Sequence, residues 1–414
     1  MTLDLVRVAE QMPALLAHLA EERATLRKRL RAALRLLGER AATPDAWRAR
    51  LEAAQTRWPL ALPLDEPVDR GYPPPGPPPA YTVVAVDGSH IDVDRNAAVP
   101  CFVLNLGWAV LTYGRPLPSV LDSYAELQPS TEALTIWDSA DASQEDVIRG
   151  EVLSLLRGVR EIARLAELAV ALPADLPQVA LLDGNLGLWN VTQAPISRRL
   201  RERLIRGEGG LLPALNALRA LAEGRPLAVG AYTSAAGTAD VVHSLRVADC
   251  PLEAVACTRC PGLAQPPRPC DRVGLATDAE LFAALLAPGE RSALFQARSR
   301  SFLRAEGPAT LWYESEGHSV AFFYLRLEQE IARVELPLWL ARRPERVALL
   351  HAVLLDQAAK GPGYPVALQE AHERAVITTM DRRAFAALLA REVQGLVGHS
   401  IGSGKARSKR VRAI

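Results

Sequence analysis

Two aspartates stand in matching local sequence. Asp87 closes the apolar run in VVAVDGSH and Asp183 closes the run in VALLDGNL, and each is followed by glycine. Four or more apolar residues of strand character before each acid predict a buried strand with the carboxylate where the strand emerges. A carboxylate so placed is costly unless it is paired or coordinated. The following glycine leaves room for a tight turn or for close approach by a phosphate or a metal. Two such carboxylates suit a hard divalent cation, Mg2+ or Mn2+. Two ions about 3.5 to 4 Å apart can activate water and stabilise the leaving oxygen in phosphodiester cleavage. Asp-Gly is also an ordinary turn dipeptide, and a single copy favours that reading; two copies in the same context weigh against it.

A third acid is available on the segment between them. Residues 143–172 place Val147, Val152, Leu155, Leu156, Val159, Ile162, Leu165 and Leu168 at helical spacing, which predicts a long helix ending before Pro173. Glu151, Glu161 and Glu167 all lie on it, and periodicity alone does not rank them, because most helix glutamates face solvent. His372 stands in QEAHERAV on a helix that starts after Gly363 and Pro365; a lone helical histidine is more often structural than a ligand. Strand alternation puts His90 on the face opposite Asp87, so it reads as structural. Tyr232 and Ser234 end the strand AVGAYTS, where they could position a phosphate, with core packing an equal reading for Tyr232. Arg333 and Glu335 in IARVELPLW read first as an ion pair, although the planar fork of Arg333 also suits a phosphate. Cys250, Cys257, Cys260 and Cys270 form a C-x6-C-x2-C-x9-C series whose central C-x2-C suits structural zinc, whereas the irregular outer gaps fit buried free thiols.

The elements that must position these groups fall in a recognisable order. Residues 1–61 predict an N-terminal helical extension of two helices broken near Pro44. Residues 62–80, LPLDEPVDRGYPPPGPPPA, are too rich in proline for helix or central strand and predict a stiff connector. Residues 81–93 and 100–113 then read as strands with a turn at Gly114, followed by the long helix, a strand at 178–182, a helical stretch at 197–221 and a strand at 226–233. A less regular insertion at about 241–304 carries the cysteines. Two more strands (319–327 and 331–338) and three closing helices complete a domain at 81–400. Residues 401–414 form a basic tail in which Lys405, Lys409 and Arg410 could track a DNA backbone, although such a terminus is usually just solvated.

Composition narrows the class without naming it. With 48 Lys plus Arg against 47 Asp plus Glu the net charge is +1, so any polyanion binding must come from local patches. There is no run of about 18 apolar residues and no leader-like N-terminus, which predicts a cytoplasmic protein without a membrane span. Five cysteines, an odd number, argue against a secreted disulfide framework.

The motifs AVDGSHIDV, RGVREIARLAEL, ALLDGNLGLW, FFYLRLEQEIARVELPLWL and GYPVALQEAHERAVI together resemble the NurA nuclease family, from Tyr81 to the C-terminus. The resemblance implies an α/β fold with an RNase H-like mixed sheet and flanking helices, here with the N-terminal helical extension and an inserted cysteine-containing subdomain. It implies an acidic set of Asp87, Glu161 and Asp183 binding Mn2+ or Mg2+ at a two-metal site, with Glu167 as the alternative helix acid and His372 as a further ligand or phosphate-handling group. It also implies a 5'-3' exonuclease and single-strand endonuclease acting on single-stranded DNA and duplex ends in end resection, a homodimer, and a HerA-type hexameric ATPase partner. The sequence departs from the resemblance at Asn185, where related chains often carry serine. Two other readings keep the acids but change the role: an actin-like phosphoryl-transfer ATPase, for which no paired phosphate loops are evident, and a non-catalytic adaptor between DNA and an ATPase ring.

Overall fold

The computed structural model describes residues 4–93, 100–128, 135–137, 145–187, 191, 194, 196–264, 266–274, 276–298 and 316–394. Its strands are β1 (Leu60–Pro63), β2 (Tyr81–Ile91), β3 (Phe102–Tyr113), β4 (Val120–Gln128), β5 (Thr135–Trp137), β6 (Glu145–Val147), β7 (Gln178–Asp183), β8 (Leu227–Thr233), β9 (Phe295–Arg298), β10 (Val320–Arg326) and β11 (Ile331–Pro337). Its α-helices are α1 (Leu5–Ala41), α2 (Pro44–Ala53), α3 (Glu151–Val170), α4 (Arg198–Arg206), α5 (Leu211–Gly224), α6 (Asp240–Ala248), α7 (Asp278–Leu285), the single turn α8 (Leu338–Ala341), α9 (Pro344–Lys360), α10 (Val366–Ala375) and α11 (Thr379–Gln394). The chain is mixed α/β, and it divides into two compact units: residues 1–74 with 233–341, and residues 75–232 with 342–414.

The second unit holds both Asp-Gly pairs. Its strands run in the order β8-β7-β2-β3-β4. β2, β3 and β4 form an antiparallel meander, whereas β2 and β7, and β7 and β8, pair in parallel. Val83 to Val86 and Val179 to Leu182 are almost wholly buried, as expected for strands covered on both faces. Helix α3 provides the crossover between the antiparallel meander and β7 and packs on β2. Its buried stripe includes Leu155, Val159, Ile162 and Leu165. Helix α10 packs against β2 and β3. A Cβ at Gly107 of β3 would collide with the backbone of Ala375, so only glycine lets α10 approach this closely. Ser89 donates its hydroxyl, and Asn105 its amide at 2.8 Å, to the Ala375 carbonyl, holding the end of that helix on the sheet.

In the first unit β1, β9, β10 and β11 form an antiparallel series. Trp47, Leu51, Leu245, Phe282, Phe295 and Tyr324 share one core. Both backbone N–H groups that open α6, from Val241 and Val242, donate to the fully buried Asp278 carboxylate at 3.0 and 2.9 Å.

Several boundaries differ from the sequence expectations for local reasons. The helix expected from residue 143 begins at Glu151, because Glu145–Val147 is strand β6 and Gly150 turns the chain between them; Val147 matches the helical period by coincidence. The stretch at 197–221 is two helices broken at residues 207–210. The first residues of the proline-rich connector belong to β1, where Pro63 is tolerated because β1 pairs on one side only. Residues 241–298, expected to be irregular, contain α6, α7 and β9 and contribute to the core. No helix among the described residues is long and apolar enough to cross a membrane.

Candidate metal centre

Register brings the two aspartates together. Val86 of β2 pairs with Leu182 of β7 in parallel, so the next residue on each strand, Asp87 and Asp183, lie side by side where that pairing stops. Asp183 ends β7 as expected, but β2 continues past Asp87 to Ile91 because Gly88 stays in the ladder with β3 instead of turning the chain. Asp87 also pairs across the antiparallel ladder with Gly107, the residue against which α10 seats. Facing residues of an antiparallel pair share a face, which points Asp87 toward α10. The His372 ring Nδ1, from α10, lies 2.7 Å from Asp87 Oδ2, and Asp87 Oδ1 accepts from the Gly88 N–H at 2.7 Å. Gly184, in a left-handed conformation at φ 100°, turns the chain away directly after Asp183.

One ligand atom from each of Asp87, Asp183 and His372 lies within 4.8 Å of the other two, the only such group of three or more metal-binding side chains among the described residues. Burial and the nearby Asp87 carboxylate raise the Asp183 pKa, opposed by a hydrogen bond from Tyr364 and by His372. Two carboxylates repelling across a gap lined by an imidazole form the environment that a divalent cation relieves.

Glu161 approaches from the other face of β2, through α3. A Cβ added to Gly88 would meet Glu161 Oε1 at 2.6 Å, so this glycine leaves the acid its space. Glu161 is 9% exposed and its Oε1 is buried without a hydrogen-bond partner. Arg157 Nε stands 3.5 Å away, while Arg157 Nη1 donates to the Gly88 carbonyl at 2.6 Å. Burial pushes the Glu161 pKa up to about 8; Arg157 draws it down, and Asp87 and Asp183 push it further up. Glu167 is exposed and bonded to Arg164 at 2.9 Å. Of the helix acids, therefore, it is Glu161 that feels the aspartates.

A family model described as the NurA domain matches residues 81–377. The chain belongs to the NurA family. Among solved structures it is similar to the NurA nuclease from Sulfolobus solfataricus, with 15% identity over 77% of this chain and 86% of that one and a TM-score of 0.42. It is also similar to a NurA solved with manganese and to a NurA bound to dAMP and manganese. Each of these is 13% identical over 78% of this chain and 90% of that one, with a TM-score of 0.35. No curated protein matches the chain. The NurA match spans all four elements that carry the site, β2, α3, β7 and α10.

Other residues singled out in the sequence fall elsewhere. Arg333 is 3% exposed, bonded to Asp240 at 2.7 Å and to Glu335 at 3.0 Å, with its guanidinium 3.6 Å from the centre of the Phe322 ring. It is a buried ion-pair residue and not a phosphate contact, because a guanidinium this enclosed has no surface open to a polyanion. Tyr232 is fully buried, edge-on to Tyr364 at 5.4 Å, which removes it as a phosphate contact too. Ser234 is exposed and donates its hydroxyl to Glu330. His90 is half-buried, and burial followed by Arg157 lowers its pKa. Lys405, Lys409 and Arg410 lie outside the described residues. Cys250, Cys257, Cys260 and Cys270 are free thiols lining one cleft in the first unit.

Tyr364 and Arg157 were not singled out from sequence. Tyr364 sits in Gly-Tyr-Pro immediately before α10, so its only signal is proximity to His372. Arg157 precedes Glu161 by one helical turn, the spacing of a paired side chain.

Proposed function

We propose that this NurA-family chain is a divalent-metal-dependent deoxyribonuclease whose metal centre is built from Asp87, Asp183, Glu161 and His372. The observation that carries the reading is the convergence of Asp87, Asp183 and His372 within 4.8 Å, with a buried Glu161 oxygen that accepts no hydrogen bond on the other face of β2. A donor set of carboxylate oxygens and one imidazole suits Mn2+ or Mg2+. A divalent ion held there supplies an activated water and neutralises charge at the scissile phosphate.

The chain's own residues prepare that chemistry. Asp87 and Asp183 present adjacent carboxylates from paired strands, a more exact mount than a loop would give. Tyr364 holds Asp183 by a hydrogen bond, and His372 orients Asp87. Glu161, once ionised, would add a third carboxylate to the centre. The sheet order β8-β7-β2-β3-β4, with an antiparallel meander running into parallel strands, supports an RNase H-like arrangement for this unit.

The finer reading follows the family: 5'-3' exonuclease and single-strand endonuclease activity on DNA ends, acting as a homodimer with a HerA-type ATPase in resection, and with the NurA domain occupying residues 81–400. The test is cleavage of single-stranded and blunt duplex DNA with Mn2+, Mg2+ or chelator, by wild type and Asp87→Ala, with nucleotide hydrolysis measured in parallel. Metal-dependent cleavage that is lost in Asp87→Ala supports the proposal; nucleotide hydrolysis without DNA cleavage refutes it.

A further inference from the structure

The geometry points to an iron–sulfur cluster of the four-thiolate cubane type held by Cys250, Cys257, Cys260 and Cys270. The four side chains come from separate places in the first unit. Cys250 follows the C-terminal end of α6, Cys257 and Cys260 bracket a single 3-10 turn, and Cys270 lies in a second 3-10 helix at Pro269–Val273. All four line one cleft, together with Trp58, Arg246 and Arg268, and all are free thiols.

Spacing separates the candidate occupants. A single zinc ion with Zn–S bonds of about 2.3 Å draws its four sulfurs to within roughly 4 Å of one another. No three of these sulfurs lie within 4.8 Å of each other, since among the described residues only Asp87, Asp183 and His372 meet that criterion. A cubane is bound at its corners, so its thiolates stand farther apart around a space that the cluster fills. Sulfurs that share a cleft without closing on a point match the second arrangement.

The surroundings agree with an anionic, sulfur-rich occupant. Arg246 is 5% exposed and its Nη2 lies 3.8 Å from Cys270 Sγ. Its guanidinium stacks 4.1 Å above Trp58, and its Nε is buried with no acceptor. Arg268 lines the same cleft, and the two arginines share one carboxylate, Asp271, at 2.7 and 3.0 Å. Two cations against one carboxylate leave positive charge beside four sulfurs, as a thiolate-bound cluster requires, and donors near sulfur tune such clusters. The cluster's role is structural: it pins the proline-rich segment that carries Cys257, Cys260 and Cys270 to α6 and Trp58.

The test is metal analysis of the full chain purified without oxygen. Expected are about four iron and four acid-labile sulfide per chain, a visible absorption bleached by dithionite, and an electron paramagnetic resonance signal on reduction. The C257S/C260S double variant is expected to lose the iron, while C101S and D87N keep all of it, separating this centre from the carboxylate site. Wild-type protein that stays without iron after anaerobic reconstitution with iron and sulfide overturns the inference, whether the thiols then hold zinc, pair as disulfides or remain free.

Discussion

His372 Nδ1 and Asp87 Oδ2 stand 2.7 Å apart although 285 positions separate them in the chain. The contact exists because Gly107, the β3 residue paired with Asp87, lets α10 settle against the sheet. The imidazole is more than half exposed, with room to turn from the carboxylate to a cation. His372→Ala is expected to weaken Mn2+ binding by about 10–100-fold, the range typical of residues that complete or orient a metal site. Isothermal titration of Mn2+ checks this; unchanged affinity would remove His372 from the ligand set.

Glu161 gives the site a pH signature. Its pKa is raised to about 8, so the unfolded chain loses this proton at lower pH than the folded one. Between the ordinary glutamate range and about pH 8 the native state holds more protons, and stability of the metal-free protein falls as pH rises through that window. Glu161→Gln is expected to flatten the fall, with a gain on the order of a few kcal/mol near pH 8. Thermal unfolding of both proteins in chelator at several pH values measures it. Wild-type Mn2+ affinity should rise toward pH 8, with proton release on binding that the variant lacks.

Gly107→Ala should act on the site without touching a ligand. Its Cβ would strike the Ala375 backbone, which must move, so α10 shifts and carries His372 with it. A stability loss of about 1–3 kcal/mol is expected, together with weaker Mn2+ binding. A destabilised variant with wild-type Mn2+ affinity would show that the seat of α10 does not position His372.

How far the sequence reached depended on whether the signal was local. An apolar run closed by Asp-Gly is written in consecutive residues, so Asp87 and Asp183 could be found individually; the Asp-Gly pair marks the end of β7 but not of β2, which pairs with β3 as far as Ile91. Their adjacency comes from parallel pairing of β2 with β7, which no short stretch encodes. Glu161 could not be told from Glu151 or Glu167 by period, because all three lie on one helix; what distinguishes it is the space over Gly88 on another strand. Tyr364 lies in a loop and acts through Asp183, so nothing near it in sequence marks its role. Arg333 and Glu335, two residues apart on one strand, were legible as an ion pair, whereas the second partner, Asp240, is distant in sequence and no local pattern discloses it.

That enclosure makes a further prediction. Arg333→Met should destabilise the chain by about 3–5 kcal/mol, because it leaves Asp240 and Glu335 buried without their cation. The salt dependence of DNA binding should not change, since no phosphate contact is lost. A reduced salt slope in a folded variant would return Arg333 to the DNA surface.

The central claim is that the adjacent carboxylates of β2 and β7 hold the ion that supports DNA cleavage. The most direct measurement is parallel Mn2+ titration, followed by the paramagnetic signal of free Mn2+, and single-turnover DNA cleavage on wild type, Asp87→Asn and Asp183→Asn. Each variant changes only a carboxylate to its amide. The account predicts that wild type binds Mn2+ and cuts, and that each variant loses affinity and rate together by more than about 100-fold, beyond the usual effect of groups that merely orient ligands. Folded Asp87→Asn and Asp183→Asn proteins that bind Mn2+ and cleave DNA as wild type does would contradict it.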